Sequence, residues 1–148
     1  MRTVALALLA CAFAISADSP FVGTWAMNRS KSKLDPKAPK LDTLTIQISQ
    51  DGPTLKAVAT TNGKADPAMV IDGKEHVMPT TMPSLTGATH YVTTVNGNTI
   101  RTLLKKNGQT VLDRKVSLSP DGRTMNAVSE ATLMDGQKLN STIVFDKQ

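Results

Sequence analysis

The chain has 148 residues, of which 17 are Lys or Arg and 12 are Asp or Glu, giving a formal net charge of +5. This length suits one domain that buries roughly two thirds of its unfolded surface, and it excludes a multidomain enzyme. An apolar content of 40% with 20% charged residues excludes general disorder.

The first seventeen residues have the pattern of a secretory signal peptide. Arg2 supplies a positive charge, and the uncharged stretch from Val4 to Ile15 is too short to span a bilayer. We expect cleavage after Ala17, which leaves residues 18–148 as one mature domain in the periplasm or outside the cell. A second interpretation makes Leu8-Leu9-Ala10-Cys11 a lipobox, with Cys11 acylated and the protein anchored to a membrane. We expect no transmembrane segment, because no other apolar run is long enough.

A basic stretch follows near the start of the mature chain. Arg29, Lys31, Lys33, Lys37 and Lys40 accompany a single acid, Asp35. Nucleic-acid binding would need interleaved aromatic residues, and none occurs between Trp25 and Tyr91. We therefore expect no nucleic-acid partner, and instead a solvated loop that lies near anionic lipid or polysaccharide. One short helical turn is predicted near Ser30 to Leu34.

The glycines mark the turns of the chain. Seven of the nine follow Asn or Asp, a pair that accepts the positive φ angles of tight hairpins. The pairs are Asp51-Gly52, Asn62-Gly63, Asp72-Gly73, Asn96-Gly97, Asn107-Gly108, Asp121-Gly122 and Asp135-Gly136. Each interval fits one strand, except that a loop with Pro79 and Pro83 precedes the strand that ends at Asn96. This spacing predicts an antiparallel meander.

Apolar and polar residues alternate between these turns. Leu44, Ile46 and Ile48 share one face of a predicted strand, as do Leu112, Val116 and Leu118. An open sheet of so many strands would expose unpaired edges and accumulate twist. We therefore predict an all-β fold, an up-and-down meander closed into a barrel of about eight to nine strands. A two-sheet sandwich is the alternative, but only the segment from Lys74 to Leu85 is long enough to cross between sheets.

The start of the mature chain also resembles a known family. Phe21-Val22-Gly23-Thr24-Trp25 contains a Gly-x-Trp element, and Lys31-Ser32-Lys33 and Ala38-Pro39-Lys40 follow it. This order resembles lipocalin-like (calycin) barrels, and more closely a group of small secreted bacterial lipocalin-like proteins with an F-x-G-T-W start. The hairpin segments Lys105-Lys106-Asn107-Gly108 and Ser119 to Met125 are similar to those of the same group. The resemblance implies a lipocalin-like barrel over residues 18–148.

The resemblance also implies roles for three residues that close the barrel. Trp25 would close one end, Gly23 would allow a close approach of the backbone, and an arginine from a late strand would stack on the indole. Arg114 and Arg101 both lie on predicted strands, and the sequence does not choose between them. The chain departs from the family pattern because it has no Cys after Cys11 for a disulfide and no His after His90 to ligate haem.

Patterns for catalysis, metals and cofactors are weak in this sequence. His76 and His90 lie in no nucleophile motif, and Glu130 fits an outer strand face better than a lumen. His76, Met78 and Met82 are ligands that suit Cu(I). Packing of the two methionines over an open barrel end explains them more simply. We therefore expect no enzymatic activity, no metal and no cofactor.

Two functions remain open on the sequence. The first is a binding protein of the cell envelope that holds a small apolar or amphipathic ligand near His90 and Tyr91. The second is a structural or interaction module whose barrel is filled by its own side chains. The volume of the lumen separates them, because a connected cavity of about 300 Å³ or more supports a ligand.

Overall fold

The protein consists of antiparallel β-strands, as predicted. A computed structural model describes residues 18–81 and 85–148, and within these ranges the chain forms eleven strands and no helix. The strands are β1 (Gly23–Lys33), β2 (Leu44–Asp51), β3 (Thr54–Thr61), β4 (Lys64–Ala65), β5 (Met69–Ile71), β6 (Glu75–Val77), β7 (His90–Asn96), β8 (Thr99–Lys106), β9 (Gln109–Leu118), β10 (Thr124–Thr132) and β11 (Lys138–Lys147). Eight are seven residues or longer, and β4, β5 and β6 are short. The signal peptide predicted for residues 1–17, including Cys11, lies outside the described residues. None of the described segments is a helix that could cross a membrane.

All strands belong to one sheet whose order follows the chain almost throughout. The order is β4-β3-β2-β1-β11-β10-β9-β8-β7-β6, and β5 pairs with β3. The first and last strands are therefore neighbours, with Trp25 opposite Lys147 and Met27 opposite Phe145. Six of the seven predicted Asn-Gly and Asp-Gly turns connect strands that pair directly. The exception is Asp72-Gly73, which connects β5 to β6.

The sheet curls on itself, and its two margins meet between β5 and β7, a contact that we call the seam. The Gly73 amide donates to the Thr93 carbonyl over 2.9 Å, and the Val70 amide donates to the Tyr91 hydroxyl, also over 2.9 Å. The Tyr91 ring stacks on His76, with centroids 5.3 Å apart. Two amides, from Val70 on β5 and from Gly73 in the following turn, thus join margins that no continuous ladder joins, whereas the stack of His76 on Tyr91 lies within the β6–β7 ladder.

The helical turn predicted near Ser30 to Leu34 is wrong. β1 continues to Lys33, but its pairing with β11 is irregular between Asn28 and Lys33. The Asn28 side chain accepts from the Lys31 amide, and the Ser32 hydroxyl donates to the Asn28 carbonyl and accepts from the Val144 amide. Side-chain hydrogen bonds that replace the ladder produce a bulge, which is how Ser and Asn compete with regular structure.

One end of the barrel, which we call the base, is filled by large apolar side chains. Phe21 and Trp25 are fully buried, and Met125 and Phe145 are each 2% exposed. The Trp25 indole N–H donates to the Phe21 carbonyl over 2.9 Å, so its only polar atom is paired. These residues belong to one apolar cluster with Ile48, Leu55 and Ile100. Trp25 therefore closes the base.

The cation on the indole is Lys147, not an arginine. Its ammonium group lies 5.4 Å from the centre of the Trp25 ring. Lys147 reaches this position because it stands opposite Trp25 in the β1–β11 register. Arg114 faces the interior of the barrel instead, and Arg101 pairs with Asp113 on the outer surface over 2.7 Å. The predicted stacking of Arg114 or Arg101 is therefore corrected.

Gly23 makes room for this lysine. Its φ of +142° lies where side chains are disfavoured, and a Cβ atom would stand 2.9 Å from Lys147 Cε. The close approach implied for Gly23 is thus made by the Lys147 side chain, which passes over the glycine toward the Trp25 ring.

Replacing Gly23 with Ala should lower the free energy of unfolding by about 2 kcal/mol, from backbone strain and from displacement of Lys147. Gly52→Ala is the matched control, because Gly52 also has a positive φ but no atom within 4 Å of the added Cβ. It should cost about 1 kcal/mol. Urea denaturation followed by circular dichroism measures both. The part of the excess cost of Gly23→Ala that comes from Lys147 should disappear in a Lys147→Ala background, so the excess should shrink there, and an unchanged excess would contradict this account.

Candidate functional site: an interior cavity with one arginine

The barrel is not filled beyond its base. A cavity of about 500 Å³, partly open to solvent, occupies its interior. Its wall is formed by inward-facing side chains, including Leu44 and Ile46 on β2, Ala57 and Ala59 on β3, and Ala127 and Ala131 on β10. This volume lies within the range of small-molecule sites. The cavity therefore favours the ligand-binding hypothesis over the filled barrel.

Small side chains keep this space open. Alanine occupies the inward positions 57 and 59 on β3 and 127 and 131 on β10. At the base, the corresponding inward positions carry Leu55 and Met125. The alternation of each strand thus sets which residues face inward, and the change from large to small residues sets where the packed core ends.

A single arginine faces this apolar interior. Arg114 lies on β9 between the inward-facing residues Leu112 and Val116, and all three line the cavity. Its side chain is accessible to water. The accessible surface faces the cavity and not the outside of the barrel. No carboxylate in the described ranges forms an ion pair with Arg114, and no described group accepts a hydrogen bond from it. Withdrawal from bulk water lowers the pKa of the Arg114 guanidinium, but such a group still carries its charge at neutral pH.

Residues with hydroxyl side chains lie on both sides of Arg114, on the neighbouring strands and at the same level of the barrel. Thr102 on β8 and Ser129 on β10 stand opposite Arg114 in the two neighbouring registers. Thr93 stands opposite Thr102 on β7, and Ser141 stands opposite Ser129 on β11. All five residues line the cavity. We call this line of Thr93, Thr102, Arg114, Ser129 and Ser141 the polar row.

Apolar residues flank the polar row on both sides. Toward the base, the neighbouring inward residues are Ile100, Val116, Ala127 and Ile143; away from the base they are Leu104, Leu112, Ala131 and Leu139. The polar row is therefore a polar band between apolar residues on β8 to β11, and it carries the positive charge of Arg114. Elsewhere in the lining, the polar residues are Lys40, Thr61, Asp66 and Thr86. Such a site can hold an apolar body and fix one anionic group.

The end opposite the base, which we call the mouth, is bordered by the loop 34–43. Leu34, Ala38 and Leu41 of this loop face the cavity. Asp35 fastens the start of the loop to β11, since its carboxylate accepts from the Asn140 amide over 3.0 Å. Asn62 fastens its end, accepting from the amides of Asp42 and Thr43 over 2.8 and 3.0 Å. The loop thus lies across the mouth with an anchor at each end.

The residues predicted to contact a ligand occupy other places. Tyr91 is 3% exposed and lies at the seam, and the His90 ring bonds to the Thr89 hydroxyl over 2.9 Å. Neither belongs to the described lining of the cavity. Ligand contact by His90 and Tyr91 stays a prediction.

Other side chains considered for chemistry lie outside the cavity or form no site. Glu130 pairs with Lys138 over 3.2 Å, and both are exposed, as predicted for an outer face. His76 pairs with Asp72 over 2.9 Å, and this hydrogen bond is the main cause that lowers the pKa of Asp72. Met78 is buried and lines the cavity, whereas Met82 lies outside the described residues. Within residues 18–81 and 85–148, no three His, Cys, Asp or Glu side chains form a metal-binding group.

The sequence contained a signal for Arg114 as a cavity residue. Leu112, Val116 and Leu118 mark the inward positions of β9, and Arg114 has the same parity. An arginine at an inward position predicts either a buried ion pair or a bound anion.

Comparisons with known proteins identify the fold. No protein-family model matches the sequence, and no curated protein matches it. Among solved structures, apo Caenorhabditis elegans lipid binding protein 8 has a TM-score of 0.63 at 15% identity, over 91% of this chain and 100% of that one. Zebrafish ileal bile acid-binding protein complexed with cholic acid has a TM-score of 0.60 at 15% identity, over 88% and 100%. A Schistosoma mansoni fatty acid binding protein in complex with arachidonic acid has 0.60 at 15%, over 88% and 97%. The chain thus has the fold of calycin and fatty-acid-binding barrels, which confirms the predicted fold class.

Replacing Arg114 with Met should stabilise the protein. The substitution removes an unpaired charge from an apolar cavity and leaves an unbranched side chain there. We expect the free energy of unfolding to rise by up to about 1 kcal/mol, because water in the cavity already screens part of the charge. Lys115→Met is the control, since Lys115 faces outward on the same strand and should change stability by less than about 0.5 kcal/mol. A lower urea midpoint for Arg114→Met than for the unsubstituted protein would contradict the absence of a partner.

The anchoring of the mouth loop should depend on acid. Hydrogen bonds from the Asn140 and Lys37 amides lower the pKa of Asp35 from its ordinary value of 3.8. A lowered pKa in the folded state means that the anchor is fully present above pH 3.8 and is lost as the pH falls through the folded pKa. In NMR spectra the Asn140 and Lys37 amide shifts should titrate together with a midpoint below 3.8. Asp35→Asn should abolish this titration, and its persistence would assign it to another group.

Proposed function

We propose that the protein binds a small amphipathic anion with an aliphatic body. The observation that carries the proposal is Arg114, which pairs with no described residue, in a mainly apolar cavity of about 500 Å³. An isolated charge in such surroundings is unfavourable unless a group of opposite charge joins it. A ligand carboxylate can accept two parallel hydrogen bonds from the guanidinium, which are stronger than bonds between neutral groups.

The lining supports an aliphatic rather than an aromatic ligand body. Phe145 is the only aromatic residue among the described lining residues, and the rest of the wall is mainly Leu, Ile, Ala, Met and Thr. Dispersion and apolar burial against such a wall act on any hydrocarbon, whereas stacking needs an aromatic partner. An aliphatic chain or alicyclic body therefore suits the cavity.

The structures with the same fold support a binding protein rather than an enzyme. Their names describe lipid-, fatty-acid- and bile-acid-binding proteins, and two contain carboxylic acids, arachidonic acid and cholic acid. For this chain we also propose a periplasmic or secreted location, which the signal-peptide pattern of residues 1–17 supports. In that location the protein would carry or sequester its ligand outside the cytoplasm.

The proposal predicts that Arg114 distinguishes an acid from the matching alcohol. Isothermal titration calorimetry with oleic acid and oleyl alcohol should show that Arg114→Met weakens the acid by about 10- to 100-fold, the loss expected for a charge-assisted hydrogen bond. The alcohol should bind both proteins within about threefold, because it makes no ionic contact. Lys115→Met should leave both ligands unaffected. Equal affinity of oleic acid for the unsubstituted and Arg114→Met proteins, or no binding of oleic acid, would overturn the proposal.

A further inference from the structure

The polar row is wider than one anionic group needs. Neighbouring strands lie about 4.8 Å apart, so a carboxylate on Arg114 can also contact Thr102 and Ser129, which stand one strand away on either side. Thr93 and Ser141 stand two strands away, about 10 Å along the wall. A lone carboxylate leaves these outer hydroxyls without a ligand partner.

The hydroxyls of the row keep hydrogen-bonding capacity. The Ser129 hydroxyl bonds to no described residue. Thr93 and Thr102 bond to each other over 3.2 Å, which occupies one donor and leaves the second hydroxyl proton available. The Ser141 oxygen accepts from the Asp35 amide over 3.3 Å, so its own proton remains available. The row can therefore donate to and accept from further polar atoms beside the anion.

The position of these hydroxyls sets where a ligand must be polar. The inward residues directly above and below the row are apolar on β8, β9, β10 and β11. A ligand that presented only methylene groups at this level would displace cavity water from the hydroxyls and replace none of its hydrogen bonds. Against these four strands, a hydroxyl far from the anionic group would instead meet apolar side chains such as Leu104, Leu112 and Ile143.

We propose that the ligand is a hydroxylated aliphatic anion, with at least one hydroxyl close to its anionic end. The hydroxyl lies within two strand spacings of the anion, at up to about 10 Å. Thr102 and Ser129 bind a hydroxyl adjacent to the anionic group, and Thr93 and Ser141 bind a more distant one. This inference rests on the proposed function, since Arg114 holds the anion from which these distances are counted.

Three acids of equal chain length test the inference. Hexadecanoic acid, 3-hydroxyhexadecanoic acid and 16-hydroxyhexadecanoic acid are titrated into the protein by calorimetry. We expect the 3-hydroxy acid to bind about three- to tenfold more tightly than hexadecanoic acid, the gain typical of one hydrogen bond. The 16-hydroxy acid should bind more weakly than hexadecanoic acid, because its hydroxyl lies in the apolar part of the cavity.

Two variants assign the effect to the row. Ser129→Ala removes a hydroxyl that contacts no described residue, so it should fold normally while reducing the preference for the 3-hydroxy acid. Combination with Thr102→Val should abolish the preference. Ser117→Ala is the control, because Ser117 is exposed and faces outward on β9, and it should leave the preference unchanged.

The outcomes separate the two proposals. If hexadecanoic acid binds through Arg114 but the 3-hydroxy acid has no advantage, or keeps its advantage in the double variant, the inference is wrong and the proposed function stands. If hexadecanoic acid does not bind, or binds equally well to Arg114→Met, both are overturned.

Discussion

The pairing of the first strand with the last is the constraint on which the barrel depends. β1 and β11 are neighbours only because the chain has turned through the whole circumference, and Trp25 lies where they meet. The indole is fully buried, is hydrogen-bonded to Phe21 and is covered by Lys147, which Gly23 leaves room to pass. One residue cluster thus joins two ends of the chain and closes the base, which lets the remainder of the interior stay open.

The open interior lowers the stability that a fully packed barrel would have. Large side chains at the base supply apolar burial, whereas alanines and hydroxyl residues farther along the same strands leave space. Arg114 adds to the wall of that space a charge that no described residue pairs with. Features that lower the stability of the free protein and have a clear use in binding are expected at functional sites. The sheet encloses this cavity, and its hydrogen bonding is least continuous at the seam.

Local patterns predicted the strands and most turns, while contacts distant in sequence were not predictable. Asn-Gly and Asp-Gly pairs set the backbone of a turn locally, but Asp72-Gly73 has the same residues as the hairpins and instead crosses the seam. Ser30 to Lys33 lacked alternation because a bulge replaces the ladder there. The inward parity of Arg114 was readable, but its position beside Thr102 and Ser129 depends on registers that the sequence does not specify. Likewise, nothing local indicated that Tyr91 would bond to Val70 across the seam.

The location of the two chain ends has a consequence for tethering. The Gln148 amide donates to the Thr24 carbonyl, and the Ser19 amide donates to the Gln50 side chain, so both ends of the described chain leave from the base. The loop 34–43 and its anchors lie at the opposite pole. A membrane anchor or fusion partner attached at either end would therefore hold the protein with its opening directed away from the point of attachment. Exchange of cargo with a partner in solution would remain unobstructed in that orientation.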